Sequence, residues 1–244
     1  MRICLLIIFF IGLHLAEGRA QARFKTGDTL YVWARNKLQV RDRPNGKIIG
    51  SLSYGDQVVL QGYSESGASI QALPTTIEKG KENDKVMVSG SYVEVSFKKT
   101  KGYVFDAYLL RYPPLESKEP LPEYFARTFG LLKTLKEERG TENYSFLRYV
   151  YKNGISYESQ TGEKSYESVV IIPDLSIAEA IVFCSYLFHL ESYLANAYTS
   201  HVVKVVDIRN QGTGSYLYFA FDLESFRIEK TGSYIIITSE GVEG

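Results

Sequence analysis

The chain has 244 residues, room for two modest domains, and a hydrophobic share of 45% that sets it apart from disordered sequences. Its 28 basic and 28 acidic residues cancel, so it carries no electrostatic footprint for nucleic acid. With 19 Tyr against a single Trp, its aromatics suit half-buried sheets, where the ring packs and the hydroxyl stays wet; a ligand surface is the other use of such rings.

At the N-terminus Arg2 precedes an apolar run from Ile3 to Ile11, which continues through Gly12 and Leu13 to a stretch ending Ala20-Gln21-Ala22. A basic start, a short apolar run and an Ala-x-Ala end make residues 1–22 a signal peptide cleaved after Ala22, and the mature protein is expected to be secreted or periplasmic. The run is too short to span a bilayer comfortably, and Glu17, Arg19 and Gln21 close it, so no stable membrane insertion is expected after cleavage. Cys4 lies at the start of the run and not after it, where a lipid anchor would need it. Cleavage leaves Cys184 alone, so stability is expected from packing and not from an internal disulfide.

From Thr29 to Leu110 short strands alternate with Gly, Pro and Asn, the pattern of a small barrel or sandwich, and the first domain is placed at 23–112. Pro113, Pro114 and Pro120 cannot donate to a ladder and Glu116, Lys118 and Glu119 prefer water, which makes 113–121 a linker. Leu121, Phe125, Phe129, Leu132 and Leu135 then recur at helical spacing behind Pro122, predicting a helix that runs towards Gly140. Phe146 to Lys152, Asn153-Gly154 and Ile155 to Ser159 read as a hairpin, followed by a strand at about Tyr166 to Ile172 that Pro173 ends. Ser176 and Glu179 form a capping-box signal for a second helix through Leu187. Val202 to Ile208, Tyr216 to Phe221, Ser225 to Glu229 and Tyr234 to Thr238 read as strands, so 122–244 is expected to be an α+β domain with two helices on an antiparallel sheet.

The first domain contains Leu38-Gln39-Val40-Arg41-Asp42-Arg43-Pro44, Ile48-Ile49-Gly50, Tyr54-Gly55-Asp56 and Val58-Val59, then Tyr92-Val93-Glu94-Val95 and Gly102-Tyr103-Val104-Phe105-Asp106-Ala107-Tyr108-Leu109. Leu38 and Val40 share one face of a strand, and Pro44-Asn45-Gly46 supplies a fixed φ followed by a permissive one. In this order the motifs resemble the bacterial SH3 (SH3b) domain, over about a third of the chain. The sequence departs from that pattern at Tyr92, where the family has tryptophan, and in a long polar stretch from Ser64 to Lys85. The resemblance implies an SH3-like barrel that is not itself catalytic, binds cell-wall peptides or acts as a spacer, and has a groove that Trp33, Tyr54, Tyr92 and Tyr108 would line. The ordinary alternative is that these aromatics form the core of the small barrel.

Export beside such a domain raises the question of a wall-cutting enzyme. A thiol nucleophile needs an activating histidine and an accessible, electropositive setting, whereas Cys184 falls mid-helix on the face of Ile177, Ile181 and Phe188, as a buried structural cysteine does. His189 and His201 lack a second histidine at metal-binding spacing, no glycine-framed serine elbow is present, and Gly212-Thr213-Gly214 is followed by neither Lys nor a helix. No metal, cofactor or catalytic residue is therefore assigned. Lys98, Lys99 and Lys101 form a basic hairpin tip, and Lys79, Lys81 and Lys85 crowd the long polar stretch; both are ordinary solvated turns that would also attract an anionic polymer.

The sequence thus points to an exported, non-catalytic binding or scaffold protein of the cell envelope, whose SH3b-like domain recognises a peptide or cell-wall fragment and whose second domain meets an envelope protein partner. A peptidoglycan hydrolase with carboxylates in the second domain is the alternative, because a glycosidase pair is defined by distance in space and not along the chain. A third reading is an exported structural protein whose barrel only spaces it from the wall.

Overall fold

Apolar residues at every second position build most of this molecule. In β2 (Leu38–Arg41) Leu38 and Val40 are buried while Gln39 is exposed, and in β1 (Thr29–Val32) Leu30 and Val32 face inward. A computed structural model describes residues 23–71, 87–98, 100–116, 119–138, 144–187, 204–211, 214–220 and 224–242. The expected leader at 1–22 with Cys4, together with His189, His201, Lys79, Lys81, Lys85, Lys99, Gly140, Gly212 and Thr213, lies outside the described residues.

The remaining strands of the first half are β3 (Ile48–Leu52), β4 (Gln57–Gln71), β5 (Met87–Phe97), β6 (Thr100–Phe105) and β7 (Leu109–Leu110), with a 3-10 turn at Asp106–Tyr108. They pair antiparallel in the order β3-β2-β6-β5-β4-β1-β7. The barrel expected here is not closed: among the described residues β3 and β7 end the sheet with no ladder between them. β4 and β5 run 15 and 11 residues, well past their shorter neighbours, so their outer ends have only each other to pair with. The long polar stretch from Ser64 is strand as far as Gln71.

In the second half α1 (Leu121–Phe129) leads into β8 (Leu131–Glu138), β9 (Ser145–Tyr151), β10 (Ser156–Thr161) and β11 (Ser165–Pro173); α2 (Ile177–Leu187) follows, then β12 (Lys204–Gln211), β13 (Gly214–Ala220), β14 (Glu224–Thr231) and β15 (Tyr234–Val242). These eight strands form one antiparallel sheet, ordered β12-β13-β14-β15-β11-β10-β9-β8. The protein is mostly β: two antiparallel sheets and, among the described residues, two α-helices. No helix among those residues is long and apolar enough to cross a membrane.

The first helix is shorter than its leucines suggest. Gly130 takes φ +76 and donates its N–H to the Ala126 carbonyl at 2.9 Å, which closes α1. Leu132 and Leu135, expected on the helix, belong to β8 instead, where Leu135 pairs with Arg148 of β9 and Leu132 falls at a register shift.

One buried core runs through both halves. It contains Leu30, Val32, Leu60 and Val95 of the first sheet, Tyr124 and Phe125 of α1, Phe183 and Cys184 of α2, and Val170, Ile228 and Ile237 of the second sheet. Leu115, in the proline-marked segment between the sheets, is part of it. Helix α2 touches the 3-10 turn and β5 on one side and β14 on the other.

Candidate functional site

The four aromatics singled out in the sequence fall into two pairs. Trp33, just after β1, is 2% exposed, and its ring meets Tyr54 edge-on at 5.7 Å. Its indole N–H donates to the Tyr112 carbonyl at 2.9 Å, satisfying the polar edge that burial would otherwise orphan. Tyr92 and Tyr108 each meet Phe105 edge-on, at 6.1 and 6.4 Å; Tyr92 lies directly across the ladder from Phe105.

Helix α2 occupies the first pair. Tyr186 stacks on Tyr54 with ring centres 4.2 Å apart and planes 3° from parallel, and it meets Trp33 edge-on at 5.8 Å. Phe183, one turn earlier, packs 5.2 Å from Trp33. Burial pushes the Tyr54 hydroxyl above its ordinary value, with the neighbouring Tyr186 adding to the rise, and this hydroxyl accepts the Leu115 N–H at 3.0 Å. Arg35 closes the arrangement: its guanidinium lies 5.0 Å from the centre of the Tyr186 ring and donates to the Tyr186 and Ser185 carbonyls at 3.2 and 3.4 Å. The Arg35 cation thus meets the Tyr186 residue twice, at the face of its ring and at its backbone carbonyl. In this arrangement Trp33 is a core residue and, among the described residues, Phe183 and Tyr186 cover the Trp33–Tyr54 face.

A second seam between α2 and the first sheet is ionic. Ser176 and Glu179 cap each other, Ser176 N–H to Glu179 Oε2 at 2.9 Å and Glu179 N–H to Ser176 Oγ at 3.2 Å, as the spacing predicts. Glu179 is only 3% exposed, and its carboxylate also lies 3.5 Å from Arg23 Nε. Arg23 Nη1 donates to the Asp106 carbonyl at 3.3 Å, and Asp106 Oδ1 accepts the Ser91 N–H at 2.7 Å. Burial raises the Asp106 carboxyl above its usual range, against the Ser91 bond and the Arg23 charge, which lower it. Gly90 makes room for this approach, since a Cβ there would collide with Asp106 Oδ1.

Arg23 and Phe24 are themselves held in place. The Arg23 and Arg111 guanidiniums lie over the Phe24 ring, 5.4 and 5.0 Å from its centre, and the Phe24 backbone N–H donates to the Tyr63 hydroxyl at 2.7 Å.

Little of this can do chemistry. Asp106 and Glu179 are buried and already partnered, which closes them to a substrate. Cys184 is 1% exposed and burial pushes its thiol well above the ordinary range, the reverse of what a nucleophile needs. Among the described residues no group of three or more His, Cys, Asp or Glu is gathered for a metal. Among the described residues an open concavity lies elsewhere, a notch of about 190 Å³ beside β3, lined by Val40, Ile49, Leu52, Val95, Phe97 and Lys101. Lys101 carries the basic tip towards it, and Lys98 lies 4.8 Å from the centre of the Phe97 ring.

Sequence reasoning missed Tyr186, Phe183, Arg35, Arg23 and Asp106. The capping box marks where α2 starts, but no local signal says what the helix packs against. Comparison of the chain with protein-family models, with curated proteins and with solved structures finds no match.

Proposed function

We propose that this is an exported, non-catalytic binding or scaffold protein of the cell envelope, whose first sheet is an SH3b-like module. The observation that carries the reading is the Trp33–Tyr54–Tyr186 cluster, an aromatic face of the first sheet used to grip a segment of the chain itself. The segments that carry the resemblance support it: Leu38 to Arg41 form β2, Tyr92 to Val95 lie in β5, Gly102 to Phe105 lie in β6, and Asp106 to Tyr108 make the turn before β7. Export rests on the leader and its Ala20-x-Ala22 end.

On this reading the module's aromatic face is a scaffold contact with the second half, and a peptide or wall fragment meets the notch beside Lys101. The single tryptophan makes the reading testable. Mature protein is mixed with insoluble envelope and with soluble wall peptides, and binding and Trp33 emission are followed together. Retention on the envelope with unchanged emission is expected. Retention with a red shift would mean that the ligand displaces α2 from Trp33. Release of soluble fragments from peptidoglycan, or no retention at all, would overturn the proposal.

A further inference from the structure

Among the described residues strand β8 ends the eight-stranded sheet and pairs with β9 on one side. Edge strands offer unpaired backbone groups to any passing chain, and proteins usually blunt them with charge or bulges. This one exposes three leucines, Leu131 at 43%, Leu132 at 65% and Leu135 at 41%. The ladder shifts register between Leu131 and Lys133, so Leu132 sits at a bulge and the strand beyond it is regular.

We propose that β8 is a homotypic docking edge, pairing antiparallel with β8 of a second copy about a two-fold axis through Leu135. Symmetry narrows the choices. Facing residues in an antiparallel pair point to the same side of the sheet, so a symmetric pair of identical strands must place a residue, not a gap, on its axis. An axis through Thr134 sets Lys133 opposite Leu135 and Leu132 opposite Lys136. An axis through Lys136 faces that lysine with its own copy. Only the axis through Leu135 sets Lys133 opposite Glu137 twice and leaves leucine against leucine at the centre. The charges that repel a foreign strand thus become complementary when the strand meets itself, and the bulge at Leu132 lies outside the 133–137 pairing. Leu135 lies across the ladder from Arg148, which pairs with Glu158 at 3.0 Å on the same side of the sheet, away from the face that packs on α2. The exposed edge of the other sheet, β3, has Ile48 and Ile49 but no charged residue to fix a register.

The test is sedimentation of the mature chain over a range of concentrations. The parent is expected to dimerise, and Lys133→Glu or Glu137→Lys alone to weaken the dimer by about tenfold, because each turns two opposite-charge pairs into like-charge pairs. Mixing the two variants restores every pair across the interface, so a mixed dimer is expected, and the double variant Lys133→Glu/Glu137→Lys is expected to dimerise on its own. Amide exchange along β8 in the unaltered chain, slowing as concentration rises, reads the same contact without a substitution. A parent that stays monomeric, single variants that dimerise like the parent, a mixture that fails to associate, or β8 exchange that ignores concentration would each overturn the proposal.

Discussion

At its N-terminal end α2 meets the first sheet through charge: Glu179, 3% exposed, caps its own helix and lies 3.5 Å from Arg23, which donates to the Asp106 carbonyl. At its C-terminal end it meets the same sheet through rings, with Phe183 and Tyr186 against Trp33 and Tyr54. The two seams work differently. Burying charge costs several kcal/mol per ion, which pairing only offsets, so the ionic seam selects one docking geometry and adds little net stability. The aromatic seam removes large apolar surfaces from water and supplies the cohesion.

The largest effect is expected at Phe183, fully buried and ringed by Trp33, Tyr112, Tyr124 and Phe125 from both halves. Phe183→Ala should cost about 3–5 kcal/mol in urea unfolding. A single transition should shift as a whole, because the core it opens belongs to both sheets. Loss confined to one half would show that the aromatic seam does not join them.

In the ionic seam Asp106→Ala leaves the part-buried Ser91 N–H without its acceptor and should cost about 1–3 kcal/mol, while Asp106→Asn keeps an oxygen there and should cost less. The pH dependence has a definite sign. Burial raises this carboxyl above its ordinary 3.8, so the folded chain holds the proton more tightly than the unfolded one. The contribution is therefore fully present below pH 3.8 and is lost as pH rises through the raised value. Across that window the stability difference between Asp106→Asn and the parent should move in favour of the variant. Movement the other way would mean that Arg23 outweighs burial.

The smallest effect sharpens the aromatic side. A double-mutant cycle with Tyr54→Leu and Tyr186→Leu should return a coupling of about 0.5–1.5 kcal/mol for the stacked pair. Additive losses would mean that the rings contribute area alone.

Features whose partners lie within a turn or two of one another were legible in the sequence. Ser176 and Glu179 cap each other, Gly154 takes the positive φ that the hairpin turn needs, and the period-two burial of β2 follows from its own residues. Cys184 is buried as its mid-helix place among apolar residues suggests. The leucines after Gly130 show where this stops: their helical spacing is real, but a chain leaving a glycine at φ +76 beside β9 gains a whole ladder as a strand, and no local pattern records that neighbour. Nor does spacing along the chain reveal what covers Trp33 and Tyr54. Arg35 and Ser185 are 150 positions apart, and only the packing of α2 between the two sheets brought that helix onto the aromatic face. Local backbone preferences and alternation are properties of neighbouring residues, whereas the partner of an apolar face is chosen by whichever distant surface buries it best.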